Sequence, residues 1–106
     1  NIMFKGNMNK LMKQAKEMQD KMMQTKKEIE LMEIEGNSGG GAVKVKLNGK
    51  KEIISLDIND ELLKDDKEML EDMIIACINQ AQEEVDRISK DKMGAISGGM
   101  PGFPGF

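Results

Sequence analysis

The chain has 106 residues, a formal net charge of −3, 3% aromatic and 33% charged residues, no histidine and one cysteine. This length forms one domain, and a single cysteine excludes a disulfide framework within one chain. Because a monomer with so few aromatic residues has little to bury, we expect the protein to pair with a second copy.

The first predicted element is a long helix with a narrow apolar seam. Its apolar residues recur at spacings of three and four from Met8, with only Thr25 polar at an in-phase position. The seam consists of Met8, Leu11, Ala15, Met18, Met22 and Ile29. This pattern is typical of a coiled-coil-like helix, and its length of roughly 33 Å exceeds what a small sheet can cover. We therefore expect part of the helix to project and to pack on another helix.

Three strands follow, because the apolar period changes to two. The alternating apolar residues are Met32 and Ile34, then Val43, Val45 and Leu47, then Ile54, Leu56 and Ile58. The outward glutamates of the first strand can face the outward lysines of the second, which favours an antiparallel hairpin. The glycine-rich run between them is interpreted as a hairpin tip, because it lacks the Lys-Ser/Thr of a phosphate-binding loop. A four-residue loop through Lys51 would place Val45 opposite Ile54 and Val43 opposite Leu56.

A second long helix is predicted after Asp65, with a single helical turn before it around residues 60–63. Its seam again steps by four and three, from Leu70 through Ile74, Cys77 and Ala81. We expect Cys77 to be a buried core residue, because it lies in an apolar run without a basic neighbour. Residues 1–96 are predicted to form the single domain, and residues 97–106 a mobile Gly/Pro/Phe tail.

The residues needed for catalysis are largely missing. Without histidine, and with one buried cysteine, the sequence excludes the usual zinc, cysteine-nucleophile and serine–histidine sites. The stretch from Asp57 to Asp60 begins like a calcium loop but lacks its glycine and its terminal glutamate. We therefore predict no enzyme, no metal, no cofactor and no small-molecule substrate. No stretch approaches the roughly 20 apolar residues of a membrane span and no secretion signal is visible, so cytoplasmic localisation is expected.

A basic cluster is the strongest functional candidate, because residues 1–27 carry a net charge of +5 and residues 28–106 carry −8. If the two helices pack antiparallel, the lysines of the first helix should lie beside the bases of the second, at the end far from the sheet. The candidate DNA-binding residues are Lys5 just before the first helix, Lys10, Lys13, Lys16 and Lys21 along that helix, and Arg87, Lys90 and Lys92 on the second. Such an arrangement suits the phosphates of double-stranded DNA, although an ordinary solvated lysine face has the same composition.

The eleven methionines allow a second interpretation. Methionine-rich helices, or the phenylalanines of the tail, could hold a partner protein, which makes an adaptor the alternative function. The regular spacing of Met8, Met18 and Met22 equally fits packing in a dimer core.

Several segments together resemble the YbaB/EbfC family of bacterial nucleoid-associated proteins. Their order and spacing are similar to those of the family. The segments are the opening Met3-Phe4-Lys5-Gly6 with Leu11-Met12-Lys13-Gln14-Ala15, the hairpin from Glu33 to Val45, residues 63–72 and the Gly-Met-Pro-Gly-Phe tail. The resemblance covers Met3 to Phe106.

This resemblance implies an α+β fold, with an α-β-β-β-α protomer, a three-stranded antiparallel sheet and two long helices in a tweezer-like homodimer with a joined sheet. It also implies duplex DNA binding in the nucleoid, with roles in nucleoid organisation and gene regulation and little sequence preference. By position, the implied contacts are Lys10, Lys13, Lys16, Arg87 and Lys90. Asp86 and Asp91 dilute the second basic group, which puts the contribution of the second helix in question.

Overall fold

The computed structural model describes residues 2–97, with side chains from residue 6 to residue 96. The elements are α1 (Ile2–Glu30), β1 (Glu33–Ser38), β2 (Val43–Asn48), β3 (Ile53–Ile58) and α2 (Lys67–Ser97), with short 3-10 turns at Gly39–Gly41 and Asp60–Lys64. The α-β-β-β-α order, the antiparallel sheet of order β1-β2-β3 and the helical turn before α2 confirm the predictions. No helix in this described part is long and apolar enough to cross a membrane.

The core lies between one face of the sheet and α2. Val43, Val45 and Leu47 alternate with lysines along β2, so their side chains fall on one face and are fully buried. Cys77 of α2 lies against this face, as predicted, and its thiol contacts the carbonyl oxygens of Gly36 at 3.4 Å and Val43 at 3.5 Å. Burial raises the pKa of this thiol, because the thiolate would lose its hydration.

The pairing of β2 with β3 differs from the predicted register. Val45 lies opposite Leu56 and Val43 opposite Ile58, so the predicted partners were wrong by two residues. Leu47 pairs with Ile53 and Lys46 with Ser55, which leaves Ile54 as an extra residue in a bulge. Because the shift is even, the apolar face of β3 still points to the same side as that of β2.

Strand β1 approaches α2 so closely that only glycine fits at position 36. A Cβ atom at Gly36 would lie 2.7 Å from the Cβ of Ala81 and 2.8 Å from the carbonyl oxygen of Cys77. The carboxamide of Gln80 accepts a hydrogen bond from the amide of Asn37 at 2.9 Å, which fixes this approach. The first strand therefore extends through Gly36 to Ser38, and the hairpin tip is shorter than the glycine run suggested.

Helix α1 is only partly covered. Its seam is buried at Met18 and Ile29, whereas residues 6–17 are exposed on every side. The end of α2 lies beside the second half of α1, because Ala95 and Ile96 share a groove with residues between Met18 and Glu28. The molecule measures 78 × 20 × 16 Å with a radius of gyration of 21.0 Å, against about 13 Å for a compact domain of this size. We call the projecting segment, residues 6–17, the α1 arm.

Candidate nucleic-acid interface

The α1 arm presents three lysines to solvent. Lys10, Lys13 and Lys16 are all exposed, and none forms an ion pair within 4.0 Å among the side chains that the structure describes. The only acidic residue of the arm is Glu17. An unpaired ammonium group on an exposed helix is available to an external anion, so the arm is an accessible cationic surface.

The lysines occupy the sides of the arm that the apolar seam leaves open. Successive helical residues advance by about 100°, which places Lys13 and Lys16 about 150° around the helix from Met18 and Ile29, and Lys10 about 90°. Contacts made through the seam therefore leave these ammonium groups accessible. Asp20 follows Lys16 by one turn on the same side, which limits the cationic surface towards the sheet.

The bases of α2 are arranged differently, because Arg87 is held by acids of its own helix. Its Nη2 forms a very short ion pair with Glu84, its Nε donates to Glu84 at 3.2 Å and its Nη1 donates to Asp91 at 3.1 Å. The hydrogen bond from Arg87 lowers the pKa of Glu84, and the same bond raises the pKa of Arg87. Arg87 is thus the candidate contact whose charge is already satisfied within the chain.

The expectation that the two basic groups lie side by side is not met. The end of α2 lies against the second half of α1, so Lys21, which lines the groove with Ala95 and Ile96, is the α1 candidate nearest to it. Lys90 and Lys92 are exposed on α2, and Lys90 borders an open groove with Met93. The arm lysines lie beyond this level, because the last residues of α2 share their groove with residues between Met18 and Glu28 of α1. The side chain of Lys5 lies outside the described residues.

One ion pair that the sequence did not predict joins the turn between β2 and β3 to α2. Nζ of Lys51, in the turn between β2 and β3, lies 2.7 Å from Oδ1 of Asp86 on α2. Lys51 has a positive φ of 66°, and Asn48 organises its turn by accepting hydrogen bonds from the amides of Lys50 and Glu52. The only sequence signal for this pair was Asn48-Gly49, which predicts a turn without naming its partner.

The side chains brought together at these positions can bind anions and offer little else. In the described part of the chain, no group of three or more histidine, cysteine or acidic side chains could hold a metal ion. Lysines on a long exposed helix match the repeated charges of a polyanion such as a phosphate backbone.

Comparisons with known proteins agree with this chemistry. Among solved structures, the chain is similar to the crystal structure of uncharacterized protein HP0035 from Helicobacter pylori, with a TM-score of 0.64 and 28% sequence identity over 76% of this chain and 86% of that chain. The model of the YbaB/EbfC DNA-binding family matches residues 4–100. That family is not enzymatic. The chain belongs to the YbaB/EbfC DNA-binding family.

Proposed function

We propose that the protein is a cytoplasmic homodimer that binds double-stranded DNA mainly through its phosphate backbone and contributes to nucleoid organisation and gene regulation. The observation that supports this proposal best is the exposed α1 arm with its unpaired Lys10, Lys13 and Lys16. These three lysines are the principal contacts in the proposal. Lys5, Lys21, Lys90, Lys92 and the already paired Arg87 contribute less.

The proposed contacts are electrostatic, because lysine ammonium groups carry charge without a fixed planar geometry. An arm without arginine lacks the side chain that most often reads guanine in the major groove. Binding through phosphates alone gives affinity without strong sequence discrimination. The arrangement therefore supports a protein that occupies many DNA sequences.

The uncovered surface of β3 supports the homodimer. Ile54 and Leu56 point to the apolar side of the sheet but remain 48% and 45% exposed, because α2 covers β1 and β2 instead. β3 is also an edge strand with unpaired backbone groups on its outer side. A second copy that pairs at this edge would extend the sheet and bury both side chains, and it would give the assembly two arms.

A salt titration tests the DNA-binding proposal directly. The logarithm of the affinity should fall linearly with the logarithm of the salt concentration, with a slope of about −0.9 for each phosphate neutralised. Fluorescence anisotropy on a random and an AT-rich duplex, at known dimer concentration, measures both slopes. Affinity that does not change with salt would contradict a phosphate-dominated interface.

The site assignment is tested by reversing charges on the arm. The variant Lys10→Glu, Lys13→Glu, Lys16→Glu should lose DNA binding while it retains its fold and its dimer. A matched control reverses three exposed lysines far from the arm, Lys50→Glu, Lys64→Glu and Lys67→Glu, with the same change in net charge. If the control weakens binding as much as the arm variant does, net charge rather than the arm determines affinity.

The adaptor remains the second candidate, because the arm also exposes apolar side chains. Leu11 is 63% and Met12 is 67% exposed. A pull-down with and without residues 97–106, compared with a gel shift on duplex DNA, separates the two functions. Loss of a protein partner on removal of the tail, without loss of DNA binding, favours the adaptor.

A further inference from the structure

An apolar groove with an acidic rim lies at the opposite end of the molecule from the arm. It has a volume of about 500 Å³ and runs between the first turns of α2 and the loop after β1. Its apolar lining comes from Met69, Met73 and Ala76. The rest of its lining is Ser38, Gly39, Asp66, Glu68 and Asp72.

The groove has a fixed wall on its loop side. The hydroxyl of Ser38 donates a hydrogen bond to the carbonyl oxygen of Met73 at 2.6 Å. Gly39 lies so close to the same helix that a Cβ atom there would be 2.0 Å from Cε of Met73. The loop is therefore packed against α2 at this point, and the groove is formed by the fold itself.

The charge of this region selects a cationic partner. Residues 57–72 contain eight acidic residues and two lysines, a net charge of −6. None of the three carboxylates of the groove forms an ion pair within 4.0 Å among the described side chains. A partner that brings both lysines and apolar side chains would satisfy the rim and the lining together.

The α1 arm carries this complementary pattern. Met8, Met12 and Lys16 are spaced by four residues, so they form one line along the helix. Met8 and Met12 are exposed, and Lys13 adds positive charge about 100° around the helix from their line, whereas Lys10 lies about 160° from it. Methionine suits such contacts because its flexible side chain adapts to irregular apolar surfaces.

The arm of one molecule cannot reach its own groove. α1 is a continuous helix whose arm points away from the sheet, whereas the groove lies where α2 begins, beside the sheet. We propose that the acid-rimmed groove binds the α1 arm of a second copy of this chain, so that molecules associate end to end when DNA is absent. Because the contact joins two different surfaces, each molecule can bind a further one, and the product is a ring or an open chain rather than a closed pair.

This association competes with DNA, because Lys13 and Lys16 serve both contacts. It rests on the proposed function in that competition and in the homodimer as the unit that associates, whereas the groove itself takes no part in DNA binding. The DNA-free protein should sediment as species larger than a dimer at low salt, and these should dissociate when salt or duplex DNA is added.

Charge reversal in the groove tests the proposal. The groove variant Glu68→Lys, Asp72→Lys should sediment as a dimer under all conditions, with DNA affinity at least as high as that of the wild type. The control Glu52→Lys, Glu83→Lys makes the same change in net charge on exposed acids outside the groove and should assemble like the wild type. Circular dichroism and thermal melting establish that both variants fold.

A mixing experiment provides a second, independent readout. The arm variant with Lys10, Lys13 and Lys16 changed to glutamate and the groove variant should each fail to assemble alone. Their mixture should form mixed species, because the unchanged arm of the groove variant meets the unchanged groove of the arm variant. A wild type that remains a dimer at low salt and high concentration overturns the proposal, as does a groove variant that assembles like the wild type. DNA binding by the arm variant tests only the proposed function. Sedimentation of the groove variant tests only the contact between the arm and the groove.

Discussion

Lys51 and Asp86 join the turn between β2 and β3 to the middle of α2, with 2.7 Å between Nζ and Oδ1. Asp91 has a similar structural partner, because it accepts a hydrogen bond from Arg87 one turn earlier. The two acids that dilute the basic character of α2 therefore each hold a base of the same molecule. Both pairs are exposed, so each contributes little to stability. The Asp91 pair uses the charge of Arg87 within α2, whereas the Asp86 pair neutralises an acid of α2 with a base from outside that helix.

Arg87 and Lys13 should differ in their effect on DNA binding. Lys13→Ala removes an unpaired charge from each arm, so it should weaken binding and reduce the magnitude of the salt slope by about 0.9 for each copy of Lys13 that contacts a phosphate. Arg87→Ala should leave the slope nearly unchanged, because its charge is held by Glu84 and Asp91. Salt titrations of the two single variants measure this difference, and equal slopes would assign the same role to both helices.

Leu56→Lys should separate the proposed dimer. The side chain lies on the apolar side of the edge strand, where a second copy would bury it, and an unpaired ammonium group there is costly to desolvate. Sedimentation velocity should show a lighter species than the wild type at equal concentration. Ser55→Lys, on the opposite face of the same strand, is the control; a dimer that survives Leu56→Lys would mean that β3 is not the interface.

Gly36→Ala should destabilise the fold by about 1–3 kcal/mol, because the added methyl group meets Ala81 and the carbonyl oxygen of Cys77 closer than van der Waals contact allows. Gly6→Ala is the matched control, since a Cβ atom at that exposed helical position meets nothing within 4 Å. The control should stabilise the protein by roughly 0.5–1 kcal/mol through helix propensity. Urea unfolding measures both changes, and a stable Gly36→Ala variant would contradict the close packing of β1 on α2.

Cys77 should be protected from thiol reagents in the native protein. Burial raises the pKa of its thiol, so the folded state holds the proton more tightly than the unfolded state does. The associated stability is present at neutral pH and declines as pH rises past the ordinary cysteine pKa of about 8.5. Reaction with an aromatic disulfide should be slow in buffer and fast in urea, with a native rate that increases only at alkaline pH. Similar rates in both solvents would mean an accessible thiol.

Much of the fold could be predicted because the apolar periods are clear. The alternation of Val43, Val45 and Leu47 with lysines predicts both the strand and its buried face, and the structure confirms both. The register of β3 could not be predicted, because a bulge at Ile54 changes pairing partners without changing the period-two pattern. The starting residue of α1 was also missed, since its first turn has no acidic residue that would mark the beginning of a helix.

The candidate site was less predictable than the fold. Exposure of Lys10, Lys13 and Lys16 follows from their place opposite the seam, and the structure confirms it. The relative position of the two helices could not be deduced, because a seam that runs the whole length of α1 is compatible with several degrees of overlap. The spacing of Glu84, Arg87 and Asp91 by three and four residues already indicated that Arg87 could be paired within its helix.

The contact between Gly49 and the end of α1 determines the direction in which the arm projects. A Cβ atom at Gly49 would lie only 1.6 Å from the carbonyl oxygen of Ile29, so the turn between β2 and β3 rests directly on the last turn of the helix. Lys10 is 19 residues from Ile29 along the helix, or about 28 Å away. A tilt of α1 by about 10° at the contact with Gly49 would therefore displace Lys10 by roughly 5 Å. In the proposed homodimer, the close packing of Gly49 on α1 would therefore set the distance between the lysines of the two arms, and with it the width of the polyanion that fits between them.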